Sequence, residues 1–230
     1  MENLVRRHFE ERIKEGEYLL RKEMILLPKL QNSRGKLLDV GCGATPTYSK
    51  REFEIYSIDV TPQMAKIFQK SNQEAFVVIA DAKALPFRKG IFDIVVANAL
   101  MHHLIGSNPR KCENNIETAI KEMKSVLKLN GLIAIRELLV RNKLFSFFMF
   151  YVTFLCAKLN IEMELFDVHS SVVVFFLVGN RYSNLFEKNG LKIVGIKAED
   201  WKIFKRIKLG TDTQFLLRRK FAKTGSKTIN

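Results

Sequence analysis

The sequence is poor in cysteine, and it has no apolar run long enough to cross a bilayer. Three cysteines occur in 230 residues, widely separated and without a C-x-x-C pair. This spacing argues against a disulfide framework or a zinc cluster and favours a reducing compartment. The apolar segment 144–157 has fourteen residues, whereas a membrane-spanning helix needs about 20. The N-terminus is charged and helical in period, unlike a signal peptide. We therefore expect a cytoplasmic protein.

Acidic residues are scarce relative to basic ones. The chain has 38 Lys and Arg against 24 Asp and Glu, a net charge of +14. This excess favours anionic partners such as nucleic acid, phosphorylated metabolites or a lipid surface. From Trp201 onward there are nine basic residues and one acid, Asp212, an excess that solvated edge strands and a loose tail also explain. The length and the 47% hydrophobic content fit a single domain over residues 1–230.

Short apolar runs alternate with longer amphipathic segments through the middle of the chain. This alternation predicts βαβ units and a parallel sheet. Two of the runs, FVVIA and IVVA, are nearly continuous in apolar residues, as expected of strands covered on both faces. The predicted strands are 36–41, 54–60, 75–81, 92–100 and 131–138, and the predicted helices between them are 61–71 and 108–130.

Different patterns flank this core, which spans 36–137. Within an N-terminal helical segment, 1–35, residues 2–30 predict a helix that closes before Pro28. An insertion, 138–171, contains the helical segment 144–157, which is apolar on every side. The remainder, 172–230, contains C-terminal strands and a helix. SSVVVFF has strand composition, NRYSNLFEKNGL predicts a helix ending at Gly190, and 192–200 and 213–221 predict late strands with an antiparallel finish to the sheet.

A glycine turn follows the first predicted strand. Asp39 lies near the end of that strand, Gly41 and Gly43 follow it, and Asp59 ends the next strand, 18 residues after Gly41. Glycine permits positive φ and lets a ligand approach the backbone, and an acid at this spacing is typical of ribose binding. Residues 41–46 read Gly-Cys-Gly-Ala-Thr-Pro. The third glycine of G-x-G-x-x-G and a Walker lysine are both lacking, so a nucleoside without phosphates fits better than a dinucleotide.

Five motifs in order resemble class I S-adenosylmethionine-dependent methyltransferases, in particular the type 11 methyltransferase domain that includes quinone-biosynthesis enzymes. They are LLDVGCG, SIDVTPQM, ADAKALPF, FDIVVANALMHHL and VLKLNGLIAIRE. The resemblance covers Lys36 to Glu137, with a continuation to Leu217. It implies an α/β, Rossmann-like, doubly wound and mostly parallel seven-stranded sheet with an antiparallel end strand and a helical lid insertion. The loop Ala44-Thr45-Pro46 departs from the usual G-x-G-x-G.

The resemblance implies S-adenosyl-L-methionine as cofactor and assigns roles by position. Asp59 binds the ribose diol, because a carboxylate can accept from both hydroxyls, and Asp81 accepts from the adenine amino group. From the residues alone, Asp39 has an alternative role in capping the turn, Asp59 in capping the helix at Thr61-Pro62 and Asp81 as an ordinary strand-end acid. The remaining implied contacts are Asp39, Gly41, Cys42 and Gly43 at the methionine and ribose, Val60, Met64 and Ala82 at the adenine, and Asn98 and Ala99 near the sulfonium and substrate.

A general base is needed only where the acceptor must lose a proton. His102 and His103, directly after the fourth strand, are the candidate catalytic residues, because histidine titrates near neutrality. Local packing or capping is the alternative for both. Adjacent histidines diverge, so we expect no metal site. Further candidates in the insertion are Tyr151, Glu164, Asp167 and His169.

The insertion is expected to carry acceptor specificity. Its aromatic residues favour a small, hydrophobic or aromatic acceptor, and the apolar helix is expected to cover substrate, a second copy, a membrane surface or its own domain. RNA or protein methylation, favoured by the basic charge, is the alternative function. Base N-methylation is disfavoured because NALM replaces the Asn/Asp-Pro-Pro-Tyr/Phe motif. A cofactor-binding regulator would require loss of the acceptor pocket. The oligomeric state stays open.

Overall fold

A computed structural model of the chain describes residues 24, 35–48, 53–159, 161, 164–165, 168–169, 172–203 and 207–220. At 164–165, 168–169, 201–203 and 207 the description is of the backbone alone. The strands are β1 (Gly35–Val40), β2 (Phe53–Asp59), β3 (Phe76–Ile79), β4 (Phe92–Asn98), β5 (Leu127–Val140), β6 (Glu164–Leu165), β7 (Val168–His169), β8 (Leu191–Ile203) and β9 (Ile207–Arg219). The helices are α1 (Pro62–Ser71), α2 (Pro109–Val126), α3 (Lys143–Leu159) and α4 (Gly179–Lys188), with a 3₁₀ turn at Met101–His103.

Seven strands form one sheet in the order β3-β2-β1-β4-β5-β9-β8. The first five are parallel to their neighbours, whereas β9 runs antiparallel to both β5 and β8. The predicted mostly parallel, seven-stranded sheet with an antiparallel finish is confirmed. The antiparallel strand inserts between β5 and the edge strand β8. The strand order reverses between β1 and β4, where α/β proteins place their ligands.

Helices cover both faces of the central strands. Ile94 and Val96 of β4 pack with Phe68 of α1 on one face, and Val95 packs with Ile120 of α2 on the other. The burial predicted for IVVA is therefore confirmed, because residues that alternate along a strand enter two different cores. α4 and its Gly190 terminus, which has a φ of +67°, also match the prediction.

Three predictions about local structure are wrong. β3 is an edge strand, so FVVIA is not covered on both faces: Phe76 and Ile79 are more than half exposed. SSVVVFF forms no strand within its described part, 172–176, although those side chains are buried. The helix predicted over 108–130 ends at Val126, because Leu127 is fully buried and pairs with Phe92 in the sheet.

Most of the N-terminal prediction falls outside the described residues. Met24 alone of 1–34 is described; it is buried and its N–H donates to the carbonyl of Thr47 at 2.9 Å. The helix predicted over 2–30 is otherwise not described. Within the described part of the chain, no helix combines the length and hydropathy needed to cross a bilayer.

Candidate functional site

The sheet brings four of the predicted site residues to one edge. Asp59 ends β2 and Asn98 ends β4, while Asp39 lies one residue before the end of β1. Asp81 follows β3 by two residues. Because β3, β2, β1 and β4 are adjacent and parallel, their carboxyl ends meet at the point where the strand order reverses. This is the edge at which the sequence predicts a ligand.

The glycine turn ties the end of β1 to β2. Gly41 has a φ of +70° and Gly43 a φ of +57°, both in the left-handed region that favours glycine. The N–H groups of Gly41 and Cys42 both donate to the carbonyl of Ile58 at 2.9 Å. A Cβ on Gly41 would stand 2.7 Å from Cδ1 of Leu100. Glycine is thus favoured at position 41 by the backbone conformation, and a Cβ there would also make the partly buried Leu100 side chain shift.

Asp59 organises both the glycine turn and the start of α1. Its Oδ2 accepts from the N–H of Gly43 at 2.9 Å and its Oδ1 from the N–H of Thr61 at 2.8 Å. The bond to Thr61 fits the capping role that the sequence left open. Each carboxylate oxygen has two lone pairs, so a carboxylate that accepts such bonds can also accept from a hydroxyl. The ribose role stays a prediction.

Asp39 is fully buried beneath the turn and is held by a residue that sequence reasoning missed. The hydroxyl of Tyr48 donates to Oδ2 of Asp39 at 3.0 Å. Burial, and then the negative charge of Asp39, hold the pKa of Tyr48 well above the ordinary tyrosine value. Tyr48 therefore stays a neutral donor at physiological pH. The only signal for it was an aromatic residue in the polar loop TPTYSK.

The predicted adenine-side residues divide into accessible and buried groups. Val60 is half-exposed after β2, whereas Met64 of α1 and Ala82 are buried. Oδ1 of Asp81 accepts from the backbone N–H of Lys83 at 2.8 Å, and its Oδ2 lies 2.9 Å from Nζ of the same lysine. Asp81 thus also orders the turn after β3, as its alternative role as a strand-end acid implies.

Asn98 belongs to a buried polar network across three strands. Nη1 of Arg136 donates to Oδ1 of Asn98 at 3.0 Å, and its Nη2 donates to Asp212 of β9. The next residue, Ala99, has a φ of +53°, a conformation that costs a non-glycine residue about 1–2 kcal/mol. Its N–H is bonded to the carbonyl of Arg136 at 2.9 Å. The network and this bond hold the loop after β4 in a strained conformation, as is common at functional sites.

His102 makes a buried contact with Glu137, a residue that sequence reasoning did not select. Nδ1 of His102 lies 2.7 Å from Oε2 of Glu137, and Oε1 of Glu137 accepts from the N–H of Met101 at 2.8 Å. Glu137 is almost fully buried. The carboxylate therefore fixes both the 3₁₀ turn and the imidazole. Glu137 ends the motif VLKLNGLIAIRE, but its pairing with His102 depends on the β4–β5 neighbourhood.

His103 and the other candidate acids and bases are placed differently. His103 is partly exposed, with its ring centroid 4.1 Å from that of His102. Tyr151 lies on the outward face of α3 and is more than half exposed. Glu164 and His169 pair through their backbones in β6 and β7, whereas their side chains and all of Asp167 lie outside the described residues. No metal-binding cluster of His, Cys, Asp or Glu occurs among the described side chains.

The donor and acceptor groups at this edge fit a nucleoside carrying a positive charge. Acids rather than cations lie at the end of β2 and one residue before the end of β1, and they accept hydrogen bonds as hydroxyl-binding groups do. Gly41 and Gly43 turn the chain sharply after β1 through left-handed φ angles. The buried Asp39 adds negative charge beneath the turn. These features suit a sulfonium-bearing adenosine better than a polyphosphate.

Comparison with known proteins agrees with this geometry. Residues 38–135 match the family model of a methyltransferase domain. A tRNA (carboxymethyluridine(34)-5-O)-methyltransferase of Arabidopsis thaliana is 34% identical over 101 residues. That match covers 43% of this chain and 23% of the relative, so the chain spans about a quarter of the relative's length.

Solved structures share the fold at low sequence identity. A S-adenosylmethionine-dependent methyltransferase of Methanosarcina mazei has a TM-score of 0.62 at 15% identity, covering 84% of this chain and 96% of that one. A Burkholderia thailandensis 1,6-didemethyltoxoflavin-N1-methyltransferase, crystallised with 1,6-didemethyltoxoflavin and S-adenosylhomocysteine, has a TM-score of 0.61 at 12% identity, covering 95% and 88%. Geranyl diphosphate C-methyltransferase of Streptomyces coelicolor A3(2) has a TM-score of 0.58 at 12% identity, covering 83% and 75%.

Proposed function

We propose that this chain, whose residues 38–135 match a methyltransferase domain, is a class I S-adenosylmethionine-dependent methyltransferase that methylates a small hydrophobic or aromatic acceptor. S-adenosylmethionine, when bound, would supply a methyl group on a cationic sulfur, and the sulfur would leave as the acceptor atom bonds to the methyl carbon. The chain's own residues bind the two molecules, align them and exclude water. Alignment alone supplies about 7–11 kcal/mol of such a barrier.

The observation that carries the acceptor proposal is the aromatic contact with His102. The ring of Phe176 stacks on His102 at a centroid distance of 5.2 Å, and the N–H of Phe175 donates to the carbonyl of His102 at 3.0 Å. Phe150 of α3 packs edge-to-face against Phe175 at 6.0 Å. The insertion is thereby connected to the loop that follows β4. Phe150, Phe175 and Phe176 are themselves buried, so they give the loop after β4 apolar surroundings. We take these surroundings as support for an apolar acceptor, because small-molecule sites are lined mostly by apolar and aromatic side chains with few polar groups.

The geometry of the carboxyl edge supports the following proposed cofactor contacts. Asp59 accepts from the ribose hydroxyls while its bonds to Gly43 and Thr61 hold it in place. The exposed face of Val60 packs against the adenine, and Asp81 accepts from the adenine amino group. The turn at Gly41 and Gly43, with Cys42 between them, contacts the methionine part, and Asp39 stabilises the sulfonium by its charge.

His102 is the proposed general base for an acceptor that must lose a proton. Donation of its Nδ1–H to Glu137 leaves Nε2 with a lone pair. An acceptor O–H or C–H gives its proton to Nε2 as the acceptor atom forms its bond to the methyl carbon. The electron pair of the broken S–C bond stays on sulfur. His103 is the second candidate, through its more exposed ring.

RNA is the second candidate acceptor. The net charge of +14 and the likeness to a tRNA methyltransferase favour it. That likeness covers 43% of the chain, so it does not by itself identify the acceptor. The small-molecule acceptor is preferred because the aromatic residues beside His102 bury apolar surface rather than present cations to phosphate.

Calorimetric titration with S-adenosylhomocysteine tests the cofactor site. We expect Asp59→Asn to weaken binding at least tenfold, because an amide accepts less well from hydroxyls. Asp93→Asn is the matched control: Asp93 accepts from the N–H of Lys36 and the ammonium of Lys128 at the start of β4, away from the carboxyl edge. Thermal melts of both variants separate loss of binding from loss of fold. Equal affinities in the wild type and Asp59→Asn would overturn the ribose assignment.

Incorporation of a labelled methyl group from S-adenosylmethionine tests the acceptor class. The protein is incubated separately with a lipid extract and with total RNA. Label in the lipid fraction supports the proposal, and label in RNA alone refutes it in favour of the second candidate. With an acceptor in hand, His102→Ala should lower kcat without changing S-adenosylhomocysteine affinity, and added imidazole should restore part of the rate.

A further inference from the structure

The outward face of α3 is an apolar stripe with no cover in the described part of the chain. Its members are spaced by four, three, four and four residues, which places them along one side of a helix. Their side chains are between 50% and 82% exposed. The stripe consists of Leu144, Phe148, Tyr151, Leu155 and Leu159. A contiguous apolar patch of this kind on a protein surface marks an interaction site.

The inward face of α3 holds the hydroxyl groups of the helix. Ser146 is buried and donates to the carbonyl of Phe176. Thr153 is buried, donates to the carbonyl of Met149 at 2.8 Å and accepts from the N–H of Val174 at 3.3 Å. Met149, Phe150 and Cys156 are buried beside these two hydroxyls. The helix is therefore apolar on its outward face as well as on most of its buried face. Folding alone does not account for this pattern, because a solvent-facing side is ordinarily polar.

Cations flank the stripe, and α3 carries no acid. Arg141 and Lys143 are exposed at the beginning of the helix, and Lys158 is exposed at its last turn. Nζ of Lys143 lies 5.2 Å from the ring centroid of Phe147. Among the described side chains, no ion pair involves these three cations. An apolar stripe with positive charge at both ends is complementary to a surface whose apolar layer is covered by anionic groups.

We propose that α3 docks this protein on an anionic lipid bilayer. The helix lies in the plane of the membrane, with the stripe at the boundary between headgroups and acyl chains and the three cations at the lipid phosphates. Its 17 residues extend about 25 Å, enough for all five stripe residues to enter together. This surface operates independently of the proposed methyl transfer, and it places the insertion where apolar molecules concentrate.

The charges on α3 disfavour a second copy as the occupant. A symmetric dimer through the stripe is isologous, so two antiparallel helices would bring Lys143 of one towards Lys158 of the other. The helix has no Asp or Glu to compensate this repulsion. An anionic bilayer neutralises the same cations. Lipid is therefore the occupant that satisfies both the apolar and the charged parts of the surface.

Co-sedimentation of the full chain with phosphatidylcholine vesicles, with and without phosphatidylglycerol, tests the proposal. We expect binding to the anionic vesicles, weakened about tenfold by Leu155→Ser because a half-exposed leucine loses its apolar contact. Phe148→Ser should weaken it to a similar degree. Lys143→Gln and Lys158→Gln should each weaken it about fivefold. Leu129→Ser is the matched control, because Leu129 is also well exposed but lies near the start of β5, at the other end of the strand from α3.

The outcomes separate lipid docking from its alternatives. A protein of charge +14 adsorbs to anionic vesicles by charge alone, and such adsorption would be insensitive to Phe148→Ser and Leu155→Ser. Equal binding of wild type and stripe variants therefore overturns the proposal. Absence of vesicle binding also overturns it, as does a dimer in size-exclusion chromatography that Leu155→Ser converts to a monomer without any vesicle binding. S-adenosylhomocysteine affinity should be the same in all stripe variants, which keeps this test separate from that of methyl transfer.

Discussion

Replacement of Gly41 by alanine tests whether the glycine turn is built for backbone conformation and for close approach. The φ of +70° costs a residue with a Cβ about 1–2 kcal/mol. The new Cβ would also stand 2.7 Å from Cδ1 of Leu100. This atom is the end of a partly buried side chain that can shift, so the overlap adds about 1 kcal/mol, the lower end of the cost of overpacking. We expect Gly41→Ala to lower the free energy of unfolding by about 2–3 kcal/mol.

The chain contains a matched control in Gly90. Its φ is +69°, and a Cβ there would meet nothing within 4 Å. Gly90→Ala therefore carries the backbone cost alone, about 1–2 kcal/mol, or a fall in melting temperature of about 2–8 °C. Gly90 follows the turn before β4, away from the carboxyl edge, so S-adenosylhomocysteine should bind this variant with unchanged affinity. Gly41→Ala should weaken that binding at least tenfold.

Urea unfolding and calorimetric titration measure the two effects. Leu100→Ala in the Gly41→Ala background removes the overlap but not the backbone strain, so the double variant should recover part of the lost stability. A double-mutant cycle gives the interaction directly. Equal stability losses in Gly41→Ala and Gly90→Ala would refute the steric argument. Unchanged affinity for S-adenosylhomocysteine in folded Gly41→Ala would refute the role of the turn in binding.

Three further predictions concern buried groups. Burial and the charge of Asp39 raise the pKa of Tyr48, so above about pH 10 the folded state keeps a proton that the unfolded state loses. The contribution of this tyrosine to stability is therefore fully present below about pH 10 and is lost as the pH rises further. Tyr48→Phe should make that alkaline fall shallower in urea titrations, and an identical pH profile would contradict the assignment. Burial raises the pKa of Cys112 to about 11, so iodoacetamide should alkylate it only after unfolding, as peptide mapping can measure; rapid labelling of the native protein would show an accessible thiolate. Asp212→Asn should cost about 3–5 kcal/mol in urea unfolding, because it leaves the buried guanidinium of Arg136 without its carboxylate; a loss below about 1 kcal/mol, typical of an exposed pair, would show that the pair contributes little.

The local sequence pattern predicts those elements whose signal lies within a few neighbouring residues. IVVA in β4 was identified as covered on both faces, and Gly190 as a helix terminus, because each signal depends on neighbouring residues alone. FVVIA has the same composition, yet β3 lies at the edge of the sheet. SSVVVFF is buried without forming a strand in its described part. Composition reports that a segment is apolar, whereas its neighbours in the fold decide what covers it.

In the candidate site, too, some residues are predictable from the local sequence and others depend on contacts made by the fold. Asp39 and Asp59 are predicted from their positions at strand ends and Asn98 from the family resemblance, and parallel neighbours necessarily bring such ends to one edge. Tyr48 and Glu137 were not selected, because their partners, Asp39 and His102, are contacts that no local spacing encodes.

The sequence by itself determined the βα alternation, the glycine turn and the acids after the strands, since these depend on residue type and short-range spacing. Only the tertiary structure decided that Glu137 holds His102, that Asp212 neutralises Arg136 and that the apolar side of α3 faces outward. The physical reason is that burial and pairing belong to surfaces formed by distant segments: Arg136 and Asp212 are 76 residues apart along the chain, and the strand pairing of β5 with β9 brings them together.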